Sequence, residues 1–152
     1  MAQHYGTTWV GEYGREYSQN VGHHVGKDYV WRAEEFAEIA RVQQEREDEA
    51  ARRANRVLIC DTDALATEIW QERYLGTLGR YGYRRPDFYL VADPAEFPFV
   101  ADAIRDSEHL RDWMTRRFLD VLNEEHLPYA VLTGPPDARF DQAISAIDRL
   151  LS

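Results

Sequence analysis

The sharpest apolar-to-polar boundary in the chain follows Arg56. Val57-Leu58-Ile59-Cys60 is uninterrupted apolar sequence and runs directly into Asp61-Thr62-Asp63. A short apolar run bounded by polar residues predicts a buried strand of a parallel sheet. Its acids then fall at the strand's carboxyl end, where open α/β sheets bind their ligands. Folds that hydrolyse or transfer nucleotides place an aspartate there to hold Mg²⁺, usually through water. A plainer role fits the same residues: Asp63 or Thr62 can cap a helix that begins at Ala64. On the octet alone both readings stand.

The pattern elsewhere supplies the neighbours of that strand. Thr7-Thr8-Trp9-Val10, β-branched and aromatic after Gly6, predicts a strand. It leads into Gly11-Glu12-Tyr13-Gly14-Arg15-Glu16-Tyr17, a charged, glycine-punctuated turn that either serves function or simply enters a helix at Glu16. Residues 20–28, with Gly22, Gly26 and the pair His23-His24, predict a flexible loop; no acid or cysteine stands at zinc-ligand spacing from the histidines. Trp31 to Ala54 predicts a long helix, with Phe36, Ile39, Ala40, Gln43, Ala50, Ala51 and Ala54 on one face and Asn55 ending it. The charged run Glu45 to Glu49 reads as its solvated face. A helix from Asp63 to about Tyr74, stopped by Gly76, precedes a loop rich in glycine and arginine.

Asp87 to Val91 predicts the next strand, and Pro94 and Pro98 preclude regular helix between them. Ser107 is a good N-cap for a helix burying Leu110, Trp113, Met114, Val121 and Leu122, with Arg111, Arg116 and Arg117 on or near one side. Pro128 to Leu132 predicts a strand. Gly134-Pro135-Pro136-Asp137 turns into an amphipathic helix through Phe140, Ala143, Ile144, Ile147, Leu150 and Leu151. Strand and helix alternate throughout, which specifies an α/β fold: a parallel sheet with helices on both faces.

Composition narrows the class. At 152 residues, with 44% hydrophobic and 30% charged, the chain suits one globular domain spanning 1–152. The net charge of −9 argues against a general nucleic-acid or anionic-membrane partner, while leaving room for a small anion held by local arginines. The single cysteine, Cys60, lies within the predicted strand, and the first residues lack an apolar signal core, so a reducing, cytoplasmic setting is expected.

Several motifs agree in one order. Glu12-Tyr13-Gly14-Arg15-Glu16, the helix with Phe36, Ile39, Ala40 and Gln43, Ala54-Asn55, Asp61-Thr62-Asp63, Val100-Ala101-Asp102 with Arg105, and Arg139-Phe140 together resemble the nicotinamide riboside kinase domain of bifunctional NAD-salvage proteins of the NadR type. The resemblance covers essentially the whole chain. It implies a P-loop kinase fold that transfers the γ-phosphoryl of ATP, with Mg²⁺, to the ribose 5′-hydroxyl of nicotinamide riboside. Members often carry a nucleotidyltransferase domain upstream.

Two departures stand out. The chain contains no Gly-x-x-x-x-Gly-Lys-Ser/Thr phosphate loop, and its only lysine, Lys27, precedes Asp28. Residues 1–6 resemble the tail of the helix that follows that loop, so the first strand, loop and most of the first helix are expected to be missing. That loss would remove the backbone cradle for phosphate. It would also leave the strands near Val57 and Phe88 without a shared neighbour. The second departure is Ala103, where the family tends to have glycine.

The resemblance implies roles by residue. Asp61 is the metal-linked aspartate. Asp63 touches substrate or lies behind Asp61, with capping as its plainer role. Glu12, Arg15 and Glu16 line the riboside pocket, one acid accepting the 5′-hydroxyl proton or hydrogen-bonding the ribose. Trp31 stacks on the pyridinium or belongs to the core. Asp102 and Arg105 open a lid, and Arg111, Arg116 or Arg117 reaches phosphate. Two other readings compete with an active riboside kinase: a non-catalytic remnant or riboside-binding regulatory module, and another P-loop nucleoside kinase or ATPase.

Overall fold

The computed structural model describes residues 1–22, 29–94 and 108–152. The elements run α1 (Ala2–Tyr5), β1 (Trp9–Val10), α2 (Tyr13–Gly22), α3 (Ala33–Ala51), β2 (Ile59–Cys60), α4 (Ala64–Leu75), β3 (Tyr89–Ala92), α5 (Glu108–Glu124), β4 (Tyr129–Leu132) and α6 (Pro136–Leu151). The fold is α/β as expected, but two helices, α2 and α3, stand between β1 and β2, and two small sheets replace the single sheet expected. The strands pair in parallel as two two-stranded sheets, one in each of two compact units, Met1–Arg85 and Pro86–Ser152. His23, His24, Asp102, Ala103, Arg105 and Ser107 lie outside the described residues.

In the first unit β1 and β2 pair through Trp9↔Ile59 and Val10↔Cys60. The Asp61 N–H extends the ladder by donating to the Val10 carbonyl at 2.8 Å. The strands are shorter than their apolar runs because side chains take over at the entry. The Thr7 hydroxyl donates to the Val57 carbonyl at 2.6 Å, and the same Oγ1 accepts from the Asn55 N–H at 2.9 Å. Thr7 thus ties β1's approach to β2's. It also draws Asn55 away from α3, which ends at Ala51 and not at Ala54.

Helix α3 buries Phe36, Ile39, Ala40 and Ala50 as its spacing predicts. Glu35, Gln43, Gln44 and Glu47 are buried on it as well, so the Glu45–Glu49 run is not wholly a solvated face. Glu47 repeats the Gln43 position one turn on and therefore shares the inward stripe. Helix α4 begins on Asp63, whose Oδ1 accepts from the Ala66 N–H at 3.0 Å, and ends on Gly76 in left-handed backbone, φ 72°. Leu65 and Ile69 of α4 are fully buried. The fold puts α2's start at Tyr13, earlier than Glu16, and carries helix through Gly22.

The loop after α4 is organised by one buried carboxylate. Glu68, 1% exposed, accepts from the Tyr81 N–H at 3.1 Å and pairs with Arg85 at 2.7 Å. Its carbonyl accepts from the Gly79 N–H. A Cβ at Gly79 would meet the Glu68 Cα at 3.0 Å and the Tyr81 ring at 3.1 Å, so only glycine lets the loop lie this close to α4.

In the second unit β3 and β4 pair from Tyr89↔Tyr129 to Ala92↔Leu132. Buried residues are Val121 and Leu122 of α5, Leu132 of β4, and Ala143, Ala146 and Ile147 of α6. Phe140 and Leu150, expected on the inner face of α6, are exposed. Arg139 is buried instead. Its Nη2 donates to the Asp93 carbonyl at 2.7 Å and its Nε to the Gly134 carbonyl at 2.6 Å, joining the carboxyl ends of both strands. Pro136 starts α6 at a position where its missing N–H is no loss. Among the described residues no helix is long and apolar enough to cross a membrane.

Glu68→Ala is expected to lower unfolding stability by about 3 kcal/mol, because it strips the loop of its anchor and leaves the Arg85 guanidinium without this partner. Urea denaturation checks it; an unchanged midpoint would show that Glu68 does not hold the loop.

Candidate functional site

Pairing of β1 with β2 puts the residues after each strand at the same end of one sheet. Glu12 to Glu16 follow Val10, and Asp61 to Asp63 follow Cys60. This is the carboxyl end of two parallel strands, the location that α/β sheets use for ligands.

Asp61 is exposed, and its backbone is fixed by the bond to Val10. Thr62 has φ 68°, a left-handed conformation that a β-branched residue rarely adopts and that costs about 1–3 kcal/mol. The turn is therefore held against its own preference. Asp63 is 4% exposed, and its carboxylate caps α4. Capping is thus one role the structure gives Asp63.

On the other strand, the Glu12 carboxylate pairs with Arg15, Nε to Oε2 at 3.2 Å. Glu16 is taken up by a two-pronged pair with Arg46 of α3, at 2.7 and 3.2 Å, and that pairing holds its carboxyl below the usual range. The Arg46 guanidinium also lies 4.4 Å from the centre of the Tyr13 ring. Trp31 is half-buried in an aromatic group with Tyr17, Tyr29, Phe36 and Tyr74, ring centres 5.2 to 6.2 Å away. Beside it the buried Glu35 accepts from the Tyr17 and Tyr29 hydroxyls and from the Arg32 N–H. Burial opposes the charge on Glu35, but these bonds hold its carboxyl below the ordinary value. Burial and the facing Glu35 push the Tyr17 hydroxyl up to about 12.

Gln43 and Glu47 lie between the two segments. Gln43 Oε1 accepts from the Tyr13 N–H at 3.0 Å. Gln43 Nε2 donates to Glu47 at 3.0 Å and makes a longer 3.5 Å contact with the Thr62 carbonyl. Burial pushes the Glu47 carboxyl up to about 7; the Asp63 and Asp48 charges add to this, while the Gln43 bond and Arg84 oppose it. Burial also pushes the neighbouring Cys60 thiol up to about 12, so Cys60 is a poor nucleophile.

Residues Glu12, Arg15, Glu16, Trp31, Asp61 and Asp63 thus belong to the first unit. Arg111, Arg116 and Arg117 belong to α5 of the second. There Arg116 Nε donates to the Asp112 carbonyl and Arg117 pairs with Glu124 at 3.4 Å. Gln43 and Glu47 are the residues that sequence reasoning did not assign to the site. The available signal was their i, i+4 spacing on the buried stripe of α3.

A family model described as an AAA domain matches residues 1–139, and the chain belongs to that family. It is accordingly a nucleotide-binding domain of the P-loop type. No curated protein matches it. Domains of this type generally bind ATP with Mg²⁺. Among the described residues no cluster of three His, Cys, Asp or Glu side chains could enclose a metal ion. An exposed carboxylate such as Asp61 nevertheless fits Mg²⁺, which keeps several waters and takes one or two carboxylates together with substrate phosphates.

The Glu47 carboxyl rises to about 7 on folding from an ordinary 4.5. Between these values the folded chain binds the extra proton, so its contribution to stability is complete below pH 4.5 and is lost as pH rises through 7. Glu47→Gln is expected to remove this loss and to stabilise the protein above pH 7 by about 3 kcal/mol relative to wild type. Urea midpoints from pH 4 to pH 8 check it; parallel profiles for the two proteins would contradict it.

Proposed function

We propose that this AAA-family domain is a nucleoside kinase that phosphorylates the ribose 5′-hydroxyl of nicotinamide riboside with ATP. The observation that carries the reading is the juxtaposition, by β1–β2 pairing, of the Glu12–Arg15 pair with the exposed Asp61. Glu12 would hydrogen-bond the ribose or accept the hydroxyl proton, with Arg15 setting its orientation. Asp61 would hold Mg²⁺ through water, and the metal would supply charge neutralisation on the transferring phosphoryl. Glu16 and Asp63 contribute through the backbone they anchor. Trp31 presents an aromatic face suited to a pyridinium. Asp102 and Arg105 are proposed for the lid, and Arg111 or Arg116 for phosphate contacts.

A second reading keeps the same pocket in a riboside-binding module without catalysis. The two readings share the riboside pocket and differ only in turnover.

Calorimetric titration with nicotinamide riboside, followed by a phosphorylation assay with ATP and Mg²⁺, separates them. Glu12→Gln is expected to weaken riboside binding about tenfold, the loss of one charge-assisted hydrogen bond. Asp61→Asn should leave riboside binding intact and abolish Mg²⁺-dependent phosphorylation. Binding without product supports the binding module. Absence of riboside binding, or phosphorylation of a different nucleoside only, overturns the nicotinamide riboside assignment.

A further inference from the structure

Gln43 is 1% exposed, yet it makes polar contacts with the start of α2, with its own helix α3 and with the turn after β2. Its Oε1 accepts from Tyr13 at the start of α2, and its Nε2 donates to Glu47 and lies 3.5 Å from the Thr62 carbonyl. The Tyr13 N–H is among the first amides of α2, which have no acceptor within their own helix. Thr62 holds strained backbone, φ 68°, that needs an external hold. A carboxamide offers an acceptor and two donors at once, so one side chain can serve Tyr13, Glu47 and Thr62 together. Leucine would occupy similar volume and serve none of them. Glutamate would set a second carboxylate against Glu47, which already faces Asp48 on α3, Asp63 at the head of α4, and Arg84.

We propose that Gln43 is the positioning residue of the site, holding the Glu12–Arg15 segment and the Asp61–Asp63 turn in one fixed relation through Tyr13 and Thr62. Its geometry stands by itself; its consequence for ligand binding rests on the function proposed above. Gln43 itself is buried. It acts by fixing the backbone on which Glu12 and Asp61 stand, and Glu47 keeps its amide from rotating.

The full chain tests this with two variants, Gln43→Leu and the swap Gln43→Glu/Glu47→Gln. In the swap, Glu at 43 accepts from the Tyr13 N–H and from the new amide at 47, while the donation toward Thr62 is not remade. Amide exchange of the ligand-free protein and calorimetry with nicotinamide riboside are measured on each. Gln43→Leu is expected to speed exchange at Tyr13 about tenfold and to weaken riboside binding by a similar factor. Protection at Ile69 of α4 and Leu122 of α5 should be retained. The swap should restore Tyr13 protection to within about threefold of wild type, while riboside affinity, without the hold on Thr62, recovers only in part. A role in bulk packing alone predicts a uniform loss of protection that the swap does not reverse, and that result overturns the proposal. So does unchanged Tyr13 exchange in Gln43→Leu. If wild type binds no riboside, the proposed function fails, and the exchange data still decide the positioning role.

Discussion

The first unit depends on a parallel pairing only two residues long, Trp9–Val10 with Ile59–Cys60. Parallel ladders this short contribute little by themselves, because sheets of independent stability need more strands and a covered face. Polar contacts beyond the two paired residues complete the work. Thr7 closes the entry to the strands, Asp61 adds one further ladder bond, and Gln43 spans the exit. Each is a specific, directional contact in a place where apolar burial alone would allow the strands to slip in register.

Buried carboxylates recur in this design. Glu35 gathers two tyrosine hydroxyls and the start of α3, Glu47 locks Gln43, and Glu68 anchors the loop from Gly79 to Arg85. Each is satisfied by hydrogen bonds, as burial of a charged group demands. Their states differ. Glu35 receives several donors and keeps its charge, whereas Glu47 receives one and titrates near neutrality. The strained Thr62 turn lies beside Gln43, and Arg56 ahead of β2 is left-handed as well, φ 62°, so strain is stored at both ends of this strand.

Much of this was legible in the sequence. The Asp63 cap, the Gly76 stop and the α/β character follow from local pattern, and the structure contains them; the apolar run to Cys60 yields a strand only at Ile59–Cys60, half-buried where burial was expected. The buried charges were not legible. Glu47 sits in a charged run and Glu68 within α4, and solvation is the ordinary fate of both. What decides burial is a partner far away in sequence: Tyr13 and Thr62 for the Gln43–Glu47 pair, Arg85 for Glu68. The start of α2 at Tyr13 was hidden for the same reason, since its cap comes from Gln43 and not from a neighbouring Ser, Thr or Asp. Family membership specifies nucleotide binding of the P-loop type; the acceptor is proposed from the Glu12–Arg15 and Asp61 arrangement.

The most direct test of that arrangement is amide chemical-shift mapping of the isotopically labelled chain during titration with nicotinamide riboside. The account predicts saturable shifts concentrated at residues 12–16 and 61–63, on the shared end of β1 and β2, with Trp31 indole shifts alongside. Shifts confined to α5 and α6, or none at saturating riboside, would contradict it.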